Sequence, residues 1–117
     1  MRENKIGNVQ RVEHLLDAIA EIENYTLNIT FKQFVSNSMM RIATVKQLEI
    51  IGEVCAKLSN DLKLKYPKIE WAEIVSFRNV LVHEYFGVNF EIIWETVVSE
   101  VPVLKQQFQI IKKDFDV

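Results

Sequence analysis

The sequence predicts an all-α protein, an antiparallel bundle of four to five helices forming a two-fold dimer. Three observations predict the bundle. Apolar residues recur at threes and fours along most of the chain, 3 glycines and 2 prolines are the only strong helix breakers in 117 residues, and hydrophobic content reaches 49%. A chain of this length builds one core, so residues 1–117 are read as a single domain without internal repeat, low-complexity tract or linker.

From about Arg2 to Tyr25, residues Ile6, Val9, Val12, Leu15, Leu16, Ile19 and Ile22 mark one long amphipathic helix. His14 lies among them. A metal site needs clustered ligands, and His14 has none at helical spacing, so it reads as a solvated or rim side chain. Leu27 to Thr30 breaks the pattern, and Thr30-Phe31-Lys32-Gln33 has the form of a capping box opening a short helix. Ser36-Asn37-Ser38 interrupts again, either as a connection between antiparallel helices or as a segment near the mouth of a cleft.

Met40 to Leu58 forms the second long helix, with Ile42, Val45, Leu48, Ile51, Cys55 and Leu58 as its core stripe. Gly52 within it costs on the order of 1 kcal/mol relative to alanine, and close packing of another helix is the favoured reason for its presence. Cys55 is the single cysteine, which excludes an intrachain disulfide, and its apolar neighbours make it a buried thiol. Lys57, Lys63, Lys65 and Lys68 follow, with Pro67 ending any helix. They read either as solvated loop lysines or as a phosphate-contacting rim.

The next helix runs from about Glu70 to about Tyr85 and is expected to close at Gly87 through a left-handed turn. It carries Phe77-Arg78-Asn79-Val80-Leu81-Val82-His83-Glu84-Tyr85-Phe86-Gly87, the most chemically capable stretch of the chain. Phe77, Val80 and Leu81 are expected on the buried side. Asn79 and His83, four apart, share a face, whereas Arg78 sits roughly 140° around the axis from His83. One helix alone does not aim both at a small target, so a second copy across a two-fold axis is the preferred source of the missing partner. Asn89 is a good N-cap for a final helix whose Ile93, Val97, Val101, Leu104, Phe108 and Ile111 face the bundle, and Pro102 should kink or split it near Glu100. Trp71 and Trp94 sit in helical apolar patterns, as core or dimer-surface anchors.

Arg78 and His83 have the abilities that RNA cleavage without a metal requires. Histidine titrates near neutrality and can take the 2′-hydroxyl proton or return one to the leaving oxygen; arginine stays charged and grips phosphate in a fork. Asn79 is placed to orient the imidazole or the ribose. A cationic pair near a helix C-terminus also suits the helix dipole, by roughly 0.3–1 kcal/mol, with no catalysis implied. The formal charge of −2 excludes a uniformly basic nucleic-acid coat, so RNA binding must use local charge or a cleft between subunits. No Gly-rich phosphate loop or acidic metal triad is present, and no apolar run approaches the roughly 20 residues needed to span a bilayer. A cytoplasmic protein, not bound to a membrane, with no cofactor and no metal site, is the resulting expectation.

Arg78, His83 and Tyr85 together resemble the Arg-x-x-x-x-His-x-Tyr signature of the HEPN superfamily, specifically the HepT-like toxins paired with MNT-type nucleotidyltransferase antitoxins. Ile50-Ile51-Gly52-Glu53, Lys65-Tyr66-Pro67, Ile69-Glu70-Trp71, His83-Glu84-Tyr85-Phe86-Gly87-Val88 and Trp94-Glu95-Thr96-Val97 with Pro102 downstream extend the similarity over nearly the whole chain. The resemblance implies the toxin of a type VII-like toxin–antitoxin system, a metal-independent RNA endonuclease with a composite dimer cleft. It further implies AMP addition to Tyr85 by the cognate antitoxin, within a homodimer or a larger hetero-oligomer. Glu53, in the family-like stretch, is a candidate to pair with Arg78 and hold its guanidinium. Two other classes stay open: a noncatalytic nucleotide- or substrate-binding subunit of a nucleotidyltransferase, and a purely structural helical partner module.

Overall fold

The computed structural model describes residues 2–84 and 87–116, and no strand occurs among them. Helix α1 spans Arg2–Thr26, α2 Phe31–Ser36, α3 Ser38–Lys57, α4 Asn60–Lys65, α5 Trp71–His83 and α6 Phe90–Glu95; a π-helical turn, Thr96–Glu100, leads into α7, Val101–Phe115. The protein is therefore an all-helical bundle, framed by α1, α3, α5 and the α6–α7 pair. Hydrogen bonds fix the directions. Asn8 near the start of α1 donates to Ser59, just past the end of α3, at 2.9 Å, so these two helices run antiparallel. Lys105 near the start of α7 pairs with Glu23 near the end of α1 at 3.0 Å, so α7 is antiparallel to α1 as well.

Local chemistry sets the ends. Thr30 accepts from the Gln33 backbone while the Gln33 side chain accepts from Thr30, the reciprocal pair of a capping box. Asn89 caps α6 through Glu91, as its side chain foretold. Asn37 and Ser59 cap α3 and α4 in the same manner, so the expected interruption at Ser36-Asn37-Ser38 is a cap between two helices, and the stretch around Lys63 is a helical turn. The last helix is split where expected: Pro102 lacks the N–H that an α-helix would donate to the Val98 carbonyl, and the turn before it widens to π geometry.

The core joins Val12, Leu15, Ile19 and Ile22 of α1 to Val45, Leu48, Ile51 and Cys55 of α3, with Ile93, Val97, Val101, Leu104, Phe108 and Ile111 of the C-terminal arm closing over them. Each such side chain contributes roughly 1.5–3 kcal/mol on burial. Both tryptophans anchor the core edge. Trp94 packs on Phe34 at 5.2 Å between ring centroids, and Trp71 meets Phe108 edge-on at 5.9 Å while its indole donates to the Tyr66 carbonyl.

Three expectations are corrected. Ile42 is 58% exposed, because it lies six residues from Leu48, about 120° around the axis, and Thr44 takes the buried position instead. Val80 is 41% exposed, again about 120° from the packed Ile74. Gly87 is not left-handed: helix α5 ends at His83, the Glu84 N–H bonds the Val80 carbonyl, and Gly87 turns by donating to Glu84 at 2.9 Å with negative φ. No helix among the described residues is long and apolar enough to cross a membrane.

Candidate active site

Helix α5 packs on α3, and the crossing is closest where Gly52 of α3 meets Arg78 of α5. A Cβ at position 52 would come within 2.6 Å of Arg78 Cγ and nearer still to its Cβ, so the close-packing reason for the helical glycine holds. The consequence is that the arginine stem is held against backbone. Its side chain is 23% exposed, and a guanidinium nitrogen lies 3.9 Å from Glu53 Oε2. Glu53 also meets Lys57 at 3.2 Å, one turn further along α3. A carboxylate that is 49% exposed and shared between two cations adds little to stability, about 0–1 kcal/mol. Arg78 Nε is buried and has no hydrogen-bond partner among the described residues, which leaves a donor beside this pair.

His83 occupies the last turn of α5, where a cation complements the helix dipole, and is exposed. Asn79, one turn earlier on the same face, is also exposed. Five residues separate Arg78 from His83, a rise of about 7.5 Å and a rotation of about 140°. No hydrogen bond joins them among the described residues. Within one chain the arginine therefore lies against α3, while the histidine and asparagine face outward. Tyr85 lies outside the described residues.

The lysines that follow α3 divide. Lys57 is committed to Glu53, Lys63 is half-buried and acts electrostatically on Cys55, Lys65 is exposed, and Lys68 stands on the rim of a groove between α5 and the α6–α7 arm. Cys55 is fully buried, and burial pushes its thiol up to about 12, with Lys63 opposing. A thiol so placed stays protonated at neutral pH and is no nucleophile. His14 is exposed on α1. Among the described residues no three His, Cys, Asp or Glu side chains cluster as metal ligands. Sequence reasoning missed the buried Thr44, the Asn8–Ser59 bond, the Tyr66–Asp114 bond and the groove itself, all of which depend on residues far apart in the chain.

An α-helical bundle that offers a clamped arginine and an exposed histidine from one helix end is the class that fold and site define. The Ribonuclease HepT-like family matches residues 15–111. The chain belongs to that family. Among its relatives, a Thermococcus cleftensis protein named a probable ribonuclease HepT is 37% identical over 87% of this chain and 93% of its own length. A protein of Caldanaerobacter subterraneus, provisionally named an RNase, is 39% identical over 88% of this chain and 93% of its own. A Methanocaldococcus jannaschii protein, also provisionally named an RNase, is 35% identical over 83% and 89%. No solved structure matches the chain.

Proposed function

We propose that the chain is a metal-independent RNA endonuclease, the toxin of a toxin–antitoxin pair, whose active site is completed by a second copy across a two-fold axis. The observation that carries this reading is the division of labour on α5: Arg78 is clamped at the Gly52 crossing beside Glu53, and His83 projects from the same helix end toward solvent. Family membership supplies the reaction class. The exposed face of α5 supports the dimer, since Ala72, Ser76, Asn79 and His83 recur at helical spacing, and the small residues permit close approach of a two-fold mate.

In this reading His83 takes the proton from a ribose 2′-hydroxyl, and the resulting oxygen attacks the adjacent phosphorus. The 5′-oxygen leaves with a returned proton, and the products are a 2′,3′-cyclic phosphate and a 5′-hydroxyl. Arg78 neutralises the charge that grows on the non-bridging oxygens, and Asn79 orients the imidazole or ribose. The exposed Lys65 serves as a phosphate contact outside the cleft, whereas Lys68 stands beside Glu70 and Glu73 on an acidic rim. Tyr85, two residues beyond His83, is the proposed site at which a partner nucleotidyltransferase attaches AMP, adding bulk and negative charge beside the phosphate site.

The test is cleavage of total cellular RNA by purified, unmodified protein in EDTA, beside His83→Ala of matched circular dichroism, with intact mass excluding adenylate. Discrete cleavage by the parent alone is expected. Absence of cleavage by unmodified dimer across several RNAs would replace the reading with a noncatalytic nucleotide-binding subunit.

A further inference from the structure

A groove of about 790 Å³ runs between α5 and the α6–π–α7 arm, and neither Arg78, Asn79 nor His83 lines it. Its floor and walls are apolar: Ile51 from α3, Ile74 and Phe77 from α5, Ile92 and Leu104 from the C-terminal arm. Ile92 and Val103 are left more than half exposed on its edge, at 54% and 53%. The rim has the opposite character. Glu70 and Glu73 stand on one side and Glu91, Glu95 and Glu100 on the other, against a single cation among the described residues, Lys68. None of these five carboxylates forms an ion pair among the described residues. Their crowding is felt by Glu73, whose carboxyl is raised from its ordinary value by a hydrogen bond and like charge from Glu70, then by desolvation and the charge of Glu100.

We propose that this groove is the docking site for a basic amphipathic helix of a partner protein, its apolar face on the groove floor and its lysines or arginines against the two rows of glutamates. Charge complementarity selects the occupant. RNA is repelled by the rim. A second copy of this chain placed across a two-fold axis would set each row of glutamates against its own image, a like-charge arrangement in a partly desolvated cleft. Helix α4 of another copy, with Leu64 between Lys63 and Lys65, is six residues long, too short to fill the groove. By contrast, the C-terminal wall runs from Asn89 to Gln107, about 27 Å of helix, which matches a partner helix of about 18 residues. The proposal is independent of the ribonuclease reading.

The test uses the full chain and two synthetic helices of about 18 residues with the same leucine face, one flanked by lysines and one by glutamates, followed by fluorescence anisotropy at low salt. The native protein should bind the lysine-flanked helix at least tenfold more tightly. Glu73→Lys/Glu95→Lys, which brings the formal charge of the rim to about zero, should abolish that preference, while Glu13→Lys/Asp17→Lys, which changes net charge equally on the exposed face of α1, should preserve it. His83→Ala should bind as the native protein does, so loss of RNA cleavage and loss of docking are read separately. Equal binding of both helices, or an equal effect of the α1 reversal, would overturn the proposal. So would sedimentation showing a native dimer that Ile92→Asp/Val103→Asp dissociates, because the groove would then hold a second copy.

Discussion

Gly52 and Arg78 are in backbone-to-stem contact: the absent side chain of one makes the seat of the other. Substituting Gly52 by alanine improves intrinsic helix propensity by about 1 kcal/mol but overpacks the crossing, which costs about 1–3 kcal/mol. Gly52→Ala is expected to lower Tm, and Gly52→Val to lower it further, in thermal melts followed by circular dichroism. A Gly52→Ala protein as stable as the parent would show that α5 is free to move off α3.

Glu53 separates orientation from stability. Its 3.9 Å approach to Arg78 is an exposed pair worth less than about 1 kcal/mol. Glu53→Gln should leave denaturant midpoints nearly unchanged while lowering RNA cleavage severalfold, because Arg78 loses a partner that holds its fork. Unchanged activity would remove Glu53 from the site.

Arg78→Ala and His83→Ala should each reduce cleavage by about 10²–10⁴-fold in folded protein, and Arg78→Lys should not restore it because a point charge lacks the planar fork. Mixing the two inactive proteins offers the sharper readout. In a composite dimer one of the two sites regains an intact arginine and histidine, so activity returns on subunit exchange. A mixture that stays inactive after verified exchange would place each site within one protomer.

Tyr85 should gain adenylate mass when the chain is co-expressed with its nucleotidyltransferase partner, and Tyr85→Phe should remain unmodified and active in the partner's presence. Peptide mass spectrometry checks the position. Adenylate mapped to Tyr25 or Tyr66 instead would overturn the assignment.

Tyr66 joins the segment before α5 to the end of α7, its hydroxyl donating to Asp114 at 2.5 Å. Partial burial, with this hydrogen bond and the Asp114 charge, pushes the phenol up to about 12 from 10.0. The folded state thus holds the proton more tightly than the unfolded chain, so this contribution is fully present below pH 10 and is lost as pH rises toward 12. Ultraviolet titration of the native protein should show one tyrosine ionising late, and Tyr66→Phe should lose that late step. Loss of stability across the same window should be smaller in Tyr66→Phe than in the parent.

Helices α1, α3, α5 and the split C-terminal arm were legible in the sequence because burial on one side of a helix writes itself at threes and fours. Thr30, Asn89 and Pro102 were legible because capping and a missing N–H act over a few residues. Cys55 was legible for the same local reason. The sequence also presented Arg78, Asn79 and His83 together, since all three lie on one helix, and their helical angles showed that arginine and histidine face apart. What only the tertiary structure decided involves a second helix. Gly52 could have served any neighbour until α5 crossed it at Arg78, and Glu53 could have faced solvent alone. Ile42 and Val80 are as hydrophobic as their buried neighbours, and only the direction from which the other helices approach leaves them exposed. The acidic groove gathers glutamates from positions 70 to 100 that share no local pattern, because it exists only where α5 and the C-terminal arm stand apart over α3.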